Sequence, residues 1–412
     1  MVAPASYQSP RWSGEIYDCS LPLTLDTYSG CAYGCLYCFS NYQREIGPGA
    51  KSLGNIRSVN VERVKRIFTE PGYHKNFWPF IEKRFPFQWG GLSDQFDEYE
   101  RERGVTLELL RFFREIEYPI TFSTKATWWA YDERYRDVFQ GMPWNVKFSI
   151  ITLDETQARA IENECPTPQE RLDAMAEVAK WDAGGVTLRL RPYVIGLSDK
   201  TAPELIKRAG EAGAGAVSTE FFCMETRSKG GKSWRYPTIS RVVGFDVEKF
   251  YRQHSTGAGY LRLNREVKRP YVDAMEAAAR EAGMRFYVSD AHFKERCANG
   301  SCCGLTEDWH YSRGQTTQAL LLAKKNGTVR WSEIEGDLEY AKHFPHKTSD
   351  WNNTSSEMKA KFLKQSMYDF LRYCWNHPNF GHSPYKMFGG ILTPVGLDDE
   401  QNIIYAYDSS KA

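Results

Sequence analysis

Short apolar runs alternate with segments of helical periodicity along the chain as far as residue 290. The runs predict strands at residues 21–25, 85–89, 120–124, 146–151, 186–195, 216–222 and 284–288. Apolar residues recur at helical spacing in 61–68, 105–116 and 267–281, which predicts helices there. Strands that alternate with helices of about ten to eighteen residues indicate a parallel sheet, and so many units favour a barrel, complete or partial.

Two helix starts have local sequence signals. Thr167 to Glu170 forms a capping box with Pro168 at the first helical position, and this helix is expected to continue to the glycines at 184 and 185. Thr201 to Glu204 predicts a second capped start. In a barrel of this kind, reactive groups lie at the C-terminal ends of the strands.

The two ends of the chain lack this alternation of strands and helices. Residues 1–20 are polar and are expected to form an N-terminal arm over a barrel at 21–290, which carries a basic insertion near 225–266. Residues 291–412 are expected to form a mainly helical extension, with a helix at 317–325 and another opened by a capping box from Thr354 to Glu357.

Composition narrows the class of protein. Of the 412 residues, 42% are hydrophobic and 25% are charged, as in soluble globular proteins. The net charge of +1 provides no global field for nucleic acid or membrane. We find neither a signal peptide nor an apolar window of about eighteen residues, so we expect a cytoplasmic protein with no membrane partner. The clustering of the ten cysteines favours metal chemistry in a reducing cytosol.

The strongest chemical signal is the group Cys31, Cys35 and Cys38, directly after the first predicted strand. Three thiolates can hold three irons of a [4Fe-4S] cluster, which leaves one iron open for chemistry. A structural zinc site with Cys19 as fourth ligand, or three unrelated core thiols, are the alternatives. Zinc sites commonly have two C-x2-C pairs, and no second pair lies nearby, so the spacing favours iron and sulfur.

With Tyr37 directly before the last cysteine, this motif resembles the signature of radical S-adenosylmethionine (radical SAM) enzymes. Over about residues 14–225, the chain resembles their spore-photoproduct-lyase-like branch. The segments that carry this resemblance are Tyr17 to Leu21, Tyr28 to Cys31, Gly91 to Asp94 followed by Glu100, Ser123 to Lys125, Ile151 to Asp154, Ile161 to Glu162, Pro166 to Pro168 with Arg171, and Arg191 to Gly196.

The resemblance implies a partial (β/α)6 TIM-type barrel and a definite chemistry. The open iron binds S-adenosylmethionine (SAM), and an electron from an external donor such as flavodoxin or ferredoxin cleaves it. The resulting 5′-deoxyadenosyl radical abstracts hydrogen from an unactivated carbon. The protein supplies binding and orientation, whereas the cofactors supply the reactivity.

The resemblance also implies roles for cofactor-binding residues. The paired glycines let the backbone approach the SAM amino group, Tyr37 lies by the adenine, and three strand-end residues point to the carboxylate or ribose. Leu92 and Ser93 follow the glycines where the family has an acidic residue, and Ser93 is expected at the cofactor as well. Ordinary strand-end hydrogen bonds are the alternative for each polar residue. The expected set is Tyr37, Gly90, Gly91, Ser93, Lys125, Ser149 and Arg191.

A second cysteine group, Cys297, Cys302 and Cys303, follows the last predicted strand. It predicts an auxiliary iron–sulfur cluster with Cys374 or Cys19 as fourth ligand, a buried thiol-rich loop, or a hydrogen-atom donor to a product radical. Adjacent cysteines are awkward ligands because their side chains diverge, and free cysteine is commonly buried. Cys223 and Tyr287, near late strand ends, are further radical-relay candidates, or else core residues.

The insertion carries a run of cations with aromatic residues between them. Its cations could grip phosphates while Trp234 and Tyr236 stack on bases, or they could form a solvated face. The cations are Arg227, Lys229, Lys232, Arg235 and Arg241, with Arg262, Arg265, Lys268 and Arg269 beyond them.

Three hypotheses for function follow. The first is a radical SAM enzyme acting on a thymine-type nucleobase in DNA, by lesion reversal or by base hypermodification or rearrangement. The alternative is a radical SAM enzyme that modifies a peptide or small metabolite, where an auxiliary cluster would be at home. The third is a non-catalytic iron–sulfur or zinc module, which would give the paired glycines no role.

Overall fold

The computed structural model describes residues 7, 9–13, 18–46, 56–255, 260–305, 309, 315–338, 342–343 and 366–412. The predicted capping box from Thr354 to Glu357 lies outside the described residues, as does much of the predicted N-terminal arm. Among the described residues, no helix combines the length and the apolar character that crossing a bilayer requires.

The strands and helices come in the following order. The strands are β1 (Arg11–Trp12), β2 (Leu23–Leu25), β3 (Phe87–Trp89), β4 (Ile120–Thr124), β5 (Asn145–Ser149), β6 (Val186–Tyr193), β7 (Ala216–Phe221), β8 (Met224–Glu225), β9 (Tyr260–Leu261), β10 (Arg285–Val288), β11 (Thr328–Val329), β12 (Leu392–Leu397) and β13 (Ile403–Tyr407). The helices are α1 (Phe39–Ile46), α2 (Val61–Thr69), α3 (Trp78–Glu82), α4 (Glu98–Arg103), α5 (Val105–Glu115), α6 (Glu133–Phe139), α7 (Glu155–Ile161), α8 (Pro168–Val178), α9 (Ala202–Glu211), α10 (Tyr236–Val243), α11 (Val247–His254), α12 (Arg265–Glu281), α13 (Gln315–Asn326), α14 (Glu335–Leu338), α15 (Met367–Trp375) and α16 (Pro384–Met387).

The main sheet has eight strands in the order β1-β2-β3-β4-β5-β6-β7-β10. Neighbours from β4 to β7 are parallel, whereas β1 is antiparallel to β2. Helices connect the parallel strands, as a parallel arrangement requires. The sheet is open, with β1 and β10 at its two ends, which confirms the predicted α/β class and partial barrel.

Alternation along the central strands gives the sheet two different faces. The apolar face of β4 and β5 packs against buried aromatic rings: Phe122 lies 5.5 Å from Trp89, and Phe148 lies 6.0 Å from Trp129, between ring centroids. Phe96 stacks on Trp129 at 4.3 Å. Large buried rings of this kind contribute much of the apolar burial in a core. The other face carries polar side chains.

Two local expectations need correction, and a third needs an addition. The capping box of Thr167 and Glu170 is present, but α8 ends at Val178, well before the glycines at 184 and 185. Thr201 makes no cap with its side chain; its hydroxyl instead accepts a hydrogen bond from the Leu153 amide at 3.0 Å. Within the described residues of the C-terminal extension, helices outnumber strands as expected, and an antiparallel sheet of β11, β13 and β12 accompanies them.

The insertion is folded rather than irregular. A π-helical turn at Gly231–Arg235 continues into α10, α11 follows, and the short strands β8 and β9 pair with each other. By contact density the chain divides into two compact units, one of residues 1–9, 25–65 and 88–286 and one of 10–24, 66–87 and 287–412. The boundaries predicted near residues 20 and 290 remain a prediction.

Candidate active site

The three-cysteine loop runs from residue 31 to 38, between β2 and α1. Cys35 is buried and the other two cysteines are half-buried. Two hydrogen bonds from backbone amides hold the loop: the Leu36 amide donates to the Ile161 carbonyl at 3.0 Å, and the Ala32 amide donates to the Asp97 side chain, at Oδ2, at 2.7 Å. The loop is therefore held at both ends by residues that are distant in sequence.

Cys35 has a neighbour that the sequence did not suggest. The sulfur atoms of Cys35 and Cys165 lie 3.6 Å apart. A hydrogen bond from Cys165 lowers the pKa of Cys35, burial opposes this, and the charges of Lys125 and Arg171 lower the pKa further. A lowered pKa favours the thiolate, which is the form that binds iron. Sequence reasoning missed Cys165 because it stands alone, 127 residues after Cys38.

The other two thiols have raised pKa values. Burial is the main cause for both, and for Cys31 the nearby carboxylates of Asp97 and Asp94 add to it. Metal binding to such thiols releases their protons, because the thiolate is the ligand. In the part of the chain that is described, no three His, Cys, Asp or Glu side chains are arranged to hold a metal ion. A cluster takes one thiolate on each of three irons, so its ligands surround a larger object than a single ion.

The turn after β3 contacts the end of β2 through a backbone hydrogen bond. Gly90 has φ +87°, and its amide donates to the Leu25 carbonyl at 3.0 Å. A Cβ atom at position 90 would lie 2.2 Å from Gln95 Oε1 and 2.7 Å from the Ser123 carbonyl oxygen. Only glycine fits there without displacing its neighbours. Glycine at position 90 therefore has a steric basis within the protein itself.

The hydroxyl of Ser93 has a partner within the protein. It donates to the Tyr28 carbonyl at 2.9 Å, while Asp26 Oδ1 accepts from the Leu92 and Ser93 amides at 2.6 and 3.1 Å. Asp94, the next residue, is also buried and accepts from the Lys125 amide at 2.6 Å and from Thr124 Oγ1 at 2.9 Å. Residues 92–94 therefore connect the segment between β2 and the cysteine loop to the end of β4.

Tyr37 connects the loop to a buried ion pair. Its hydroxyl donates to Glu162 Oε1. Glu162 Oε2 lies 2.6 Å from Arg171 Nη2, and Arg171 Nη1 donates to the Ser149 carbonyl at 2.7 Å. Burial raises the pKa of Glu162, and the charge of Arg171 opposes that rise. Lys125 Nζ lies 5.6 Å from the centre of the Tyr37 ring.

The remaining polar candidates occupy strand ends. Ser149 is buried at the C-terminal end of β5, and Arg191 lies late in β6. Arg191 Nε is 3.7 Å from Glu220 Oε2 on β7. Together with Lys125, which directly follows β4, these residues end three neighbouring parallel strands at the same edge of the sheet.

The two radical-relay candidates have ordinary contacts. Cys223 is half-buried between β7 and β8, and its thiol donates to the Phe221 carbonyl at 3.5 Å. Tyr287 is fully buried in β10, and its hydroxyl donates to the Leu305 carbonyl at 3.0 Å. Such a hydrogen bond is usual for a core tyrosine.

The second cysteine group does not share one environment. Cys297 Sγ accepts from the Val288 amide at 3.2 Å and donates to the Val288 carbonyl at 3.1 Å, and burial raises its pKa to about 11. Cys303 belongs to an apolar cluster with Leu21 and Leu305, against which Cys19 and Cys302 pack. These contacts favour the interpretation as a buried thiol-rich loop, and the auxiliary cluster stays a prediction.

The insertion exposes part of its basic and aromatic sequence. Arg227, Lys229, Lys232 and Arg241 are exposed, and Trp234 is 49% exposed. Tyr236 cannot stack on a base, contrary to expectation, because it is buried and its hydroxyl bonds to the backbone of Glu225. Arg235 is also buried, 4.9 Å from the Trp234 ring.

These features define an α/β protein with an open, mostly parallel sheet and a three-thiol loop at the C-terminal end of a strand. Solved structures of spore photoproduct lyase have the same fold. A cysteine-to-serine variant is 16% identical, with a TM-score of 0.52 over 69% of this chain and 80% of that chain. The complex with dinucleoside spore photoproduct is 17% identical, with a TM-score of 0.52 and the same coverage.

This similarity confirms the predicted resemblance at the level of the fold. No protein-family model matches the chain, and no curated protein does.

Proposed function

We propose that this protein is a radical SAM enzyme that holds a [4Fe-4S] cluster on Cys31, Cys35 and Cys38 and cleaves SAM. The observation that carries the proposal is the loop that places three thiols between β2 and α1, with Cys35 buried and with the Ala32 amide bonded to Asp97. When bound, the two cofactors supply a 5′-deoxyadenosyl radical that removes hydrogen from the substrate. The protein binds and orients the cofactors and the substrate, and it excludes water from the site.

The residues around the loop have distinct proposed roles. Gly90 and Gly91 let the backbone approach the SAM amino group, and Tyr37 lies against the adenine. Lys125, Ser149 and Arg191 bind the carboxylate or ribose from neighbouring strand ends. Ser93 acts through the backbone of Tyr28, so it is a positioning residue. Cys223 and Tyr287 remain candidates for a radical relay.

We further propose that the substrate is a thymine-type nucleobase in DNA, changed by lesion reversal or by base hypermodification or rearrangement. Two observations support this proposal: a spore photoproduct lyase of the same fold binds a dinucleoside spore photoproduct, and the insertion exposes cations beside Trp234. An external reductant such as flavodoxin or ferredoxin supplies the electron, in the cytoplasm. We also propose that the chain has three parts, with boundaries near residues 20 and 290: an N-terminal arm, the partial barrel and a C-terminal extension.

Anaerobic reconstitution with iron and sulfide tests the enzyme proposal. The reduced protein should convert SAM to 5′-deoxyadenosine, measured by chromatography. Cys35→Ala should abolish both the cluster absorbance and the product. Cys374→Ala, which removes another buried cysteine, should retain both. A Cys35→Ala protein that still forms 5′-deoxyadenosine would show the assignment to be wrong.

The substrate proposal has its own test. DNA with deuterated thymine methyl groups is incubated with the reconstituted protein, SAM and a reductant. Deuterium should appear in 5′-deoxyadenosine, as detected by mass spectrometry. Product formation without deuterium transfer from any position of the thymine, labelled in turn, would point to another substrate class.

A further inference from the structure

One face of the strands β3 to β7 is polar along its whole length. Side chains alternate between the two faces of a strand, and neighbours in register share a face. Ser123 is in register with Lys147, and Arg189 is in register with both Ser149 and Ser218. The residues of this polar face are Gln88, Thr121, Ser123, Asn145, Lys147, Ser149, Thr187, Arg189, Arg191, Ser218 and Glu220.

This pattern is unusual for parallel strands. Such strands are generally apolar on both faces, and the interior of a closed barrel is filled by bulky branched residues. Here Thr187, Arg189 and Arg191 alternate along β6 with Val186, Leu188 and Leu190. The polar face is therefore suited to contact with a polar ligand and not to packing in an apolar core.

Hydrogen bonds hold the middle of this face in place. Ser123 Oγ accepts from Gln88 Nε2 at 3.0 Å and from Arg189 Nη1 at 2.9 Å. Lys147 Nζ donates to Gln88 Oε1. One layer below, Asn145 is bonded to Thr121 at 3.2 Å and to Thr187 at 3.1 Å. The cations at this level are thus pre-organised by uncharged polar side chains.

The strand residues of this face carry more positive than negative charge. Its strand residues provide three cations, Lys147, Arg189 and Arg191, and one carboxylate, Glu220, which lies 3.7 Å from Arg191. Lys147 is 1% exposed, whereas Arg189 is half-buried. Buried charges act over longer distances than exposed ones because the local dielectric constant is low. The field at this face therefore favours a negatively charged group.

We propose that Lys147 and Arg189 form an anion-binding floor that takes an oxyanion, carboxylate or phosphate, of the substrate. Arg189 contacts the oxyanion with its planar guanidinium, whose donors match two oxygen atoms at once. Lys147 adds charge from beneath it. The inference rests on the proposed function because it names the substrate class of that same site: a pyrimidine compound that carries a negative charge.

Binding to the full-length protein as purified tests this floor without any turnover. S-adenosylhomocysteine is added in excess, so that a site for the cofactor carboxylate is filled first. Two matched pairs are then titrated by calorimetry: thymidine 5′-monophosphate against thymidine, and 5-carboxyuracil against uracil. The charged member of one pair should bind at least about tenfold more tightly than its neutral partner. The pair that shows the preference identifies phosphate or carboxylate.

Equal affinities within both pairs, or binding only when S-adenosylhomocysteine is omitted, would overturn the proposal. The second result would assign these cations to the cofactor. Neither measurement requires a cluster or SAM cleavage, so a failure here is distinct from a failure of the radical SAM assignment.

Variants locate the effect. In Arg189→Gln, the ratio of the affinities for the charged and the neutral probe should fall about tenfold. Arg189→Lys should keep part of this preference because the charge remains. Arg111→Gln, on the exposed face of α5, makes the same change of charge elsewhere and should leave the preference intact. An unchanged preference in a folded Arg189→Gln protein contradicts the proposal, and the preference of the wild-type protein remains decisive if that variant does not fold.

Discussion

Glu162 and Arg171 form an ion pair with 2.6 Å between Oε2 and Nη2, and both side chains are only 1% exposed. Each partner also holds a part of the candidate site: Glu162 accepts from the Tyr37 hydroxyl, and Arg171 donates to the Ser149 carbonyl. The pair therefore connects the cysteine loop to the end of β5. A buried ion pair used in this way fixes geometry more than it adds stability.

Removal of Arg171 should be strongly destabilising. Arg171→Met leaves the Glu162 carboxylate buried without its cation, which should lower the free energy of unfolding by about 3–5 kcal/mol. Urea denaturation measures this change. Arg159→Met is the matched control, since Arg159 pairs with Glu155 at 67% and 54% exposure and an exposed pair contributes at most about 1 kcal/mol. Similar stabilities for the two variants would contradict the assigned role of the pair.

Alanine at position 90 should cost more than alanine at another left-handed glycine. Gly104 has φ +67°, and no atom lies within 4 Å of the place that an alanine methyl group would take, so Gly104→Ala should cost only the backbone strain of about 1–2 kcal/mol. Gly90→Ala adds the contacts with Gln95 and Ser123, worth about 1–3 kcal/mol more. Thermal unfolding compares the two variants. Binding of S-adenosylhomocysteine should fall in Gly90→Ala alone, and equal losses in both variants would remove the cofactor role of this turn.

Lys125 should contribute to cofactor affinity without contributing to the fold. Its amide is bonded to Asp94, an interaction that a side-chain change leaves in place. Lys125→Met removes the ammonium near Tyr37 and should weaken SAM binding about tenfold, or about 1.4 kcal/mol. Equilibrium titration of the reconstituted protein gives this affinity directly. Lys200→Met, an exposed lysine, should bind SAM normally, and normal binding by Lys125→Met would exclude a contact with the cofactor.

Iron analysis should separate the two cysteine groups. The reconstituted wild-type protein should bind about four irons, and the protein with alanine at positions 31, 35 and 38 should bind almost none. The reciprocal protein, with alanine at 297, 302 and 303, should keep the wild-type iron content, because Cys297 is engaged with Val288 and Cys303 packs on Leu21 and Leu305. About four irons left in the first variant would instead establish an auxiliary cluster.

DNA binding should depend on the exposed cations of the insertion. Neutralising Arg227, Lys229 and Lys232 together should reduce the slope of log affinity against log salt by about 2–3. Fluorescence anisotropy at several salt concentrations measures that slope. The control neutralises three exposed cations elsewhere, Arg159, Lys180 and Lys207. A slope that changes equally in both proteins would mean that the insertion is not the DNA-binding surface.

Much of the fold and the central motif could be predicted because their signals are local. Strand alternation, helical spacing and the capping box of Thr167 and Glu170 involve residues only a few positions apart, and so does the spacing of Cys31, Cys35 and Cys38. Local signals fail where the partner is distant: the two-residue strand β11 pairs with β13, with Thr328 opposite Ala406, and two residues are too few to form a pattern.

The roles of individual side chains were decided by tertiary structure. Cys165 approaches Cys35 from 130 positions away, and the hydroxyl of Ser93 donates to the Tyr28 carbonyl from 65 positions away. Tyr236 is buried in the folded insertion, where its ring packs on Phe222 and its hydroxyl bonds to the backbone of Glu225. The sequence by itself determined which residues can do chemistry. Tertiary packing decided which of them are available, because a polar atom buried in a fold must be paired, and its partner is set by contacts between distant segments.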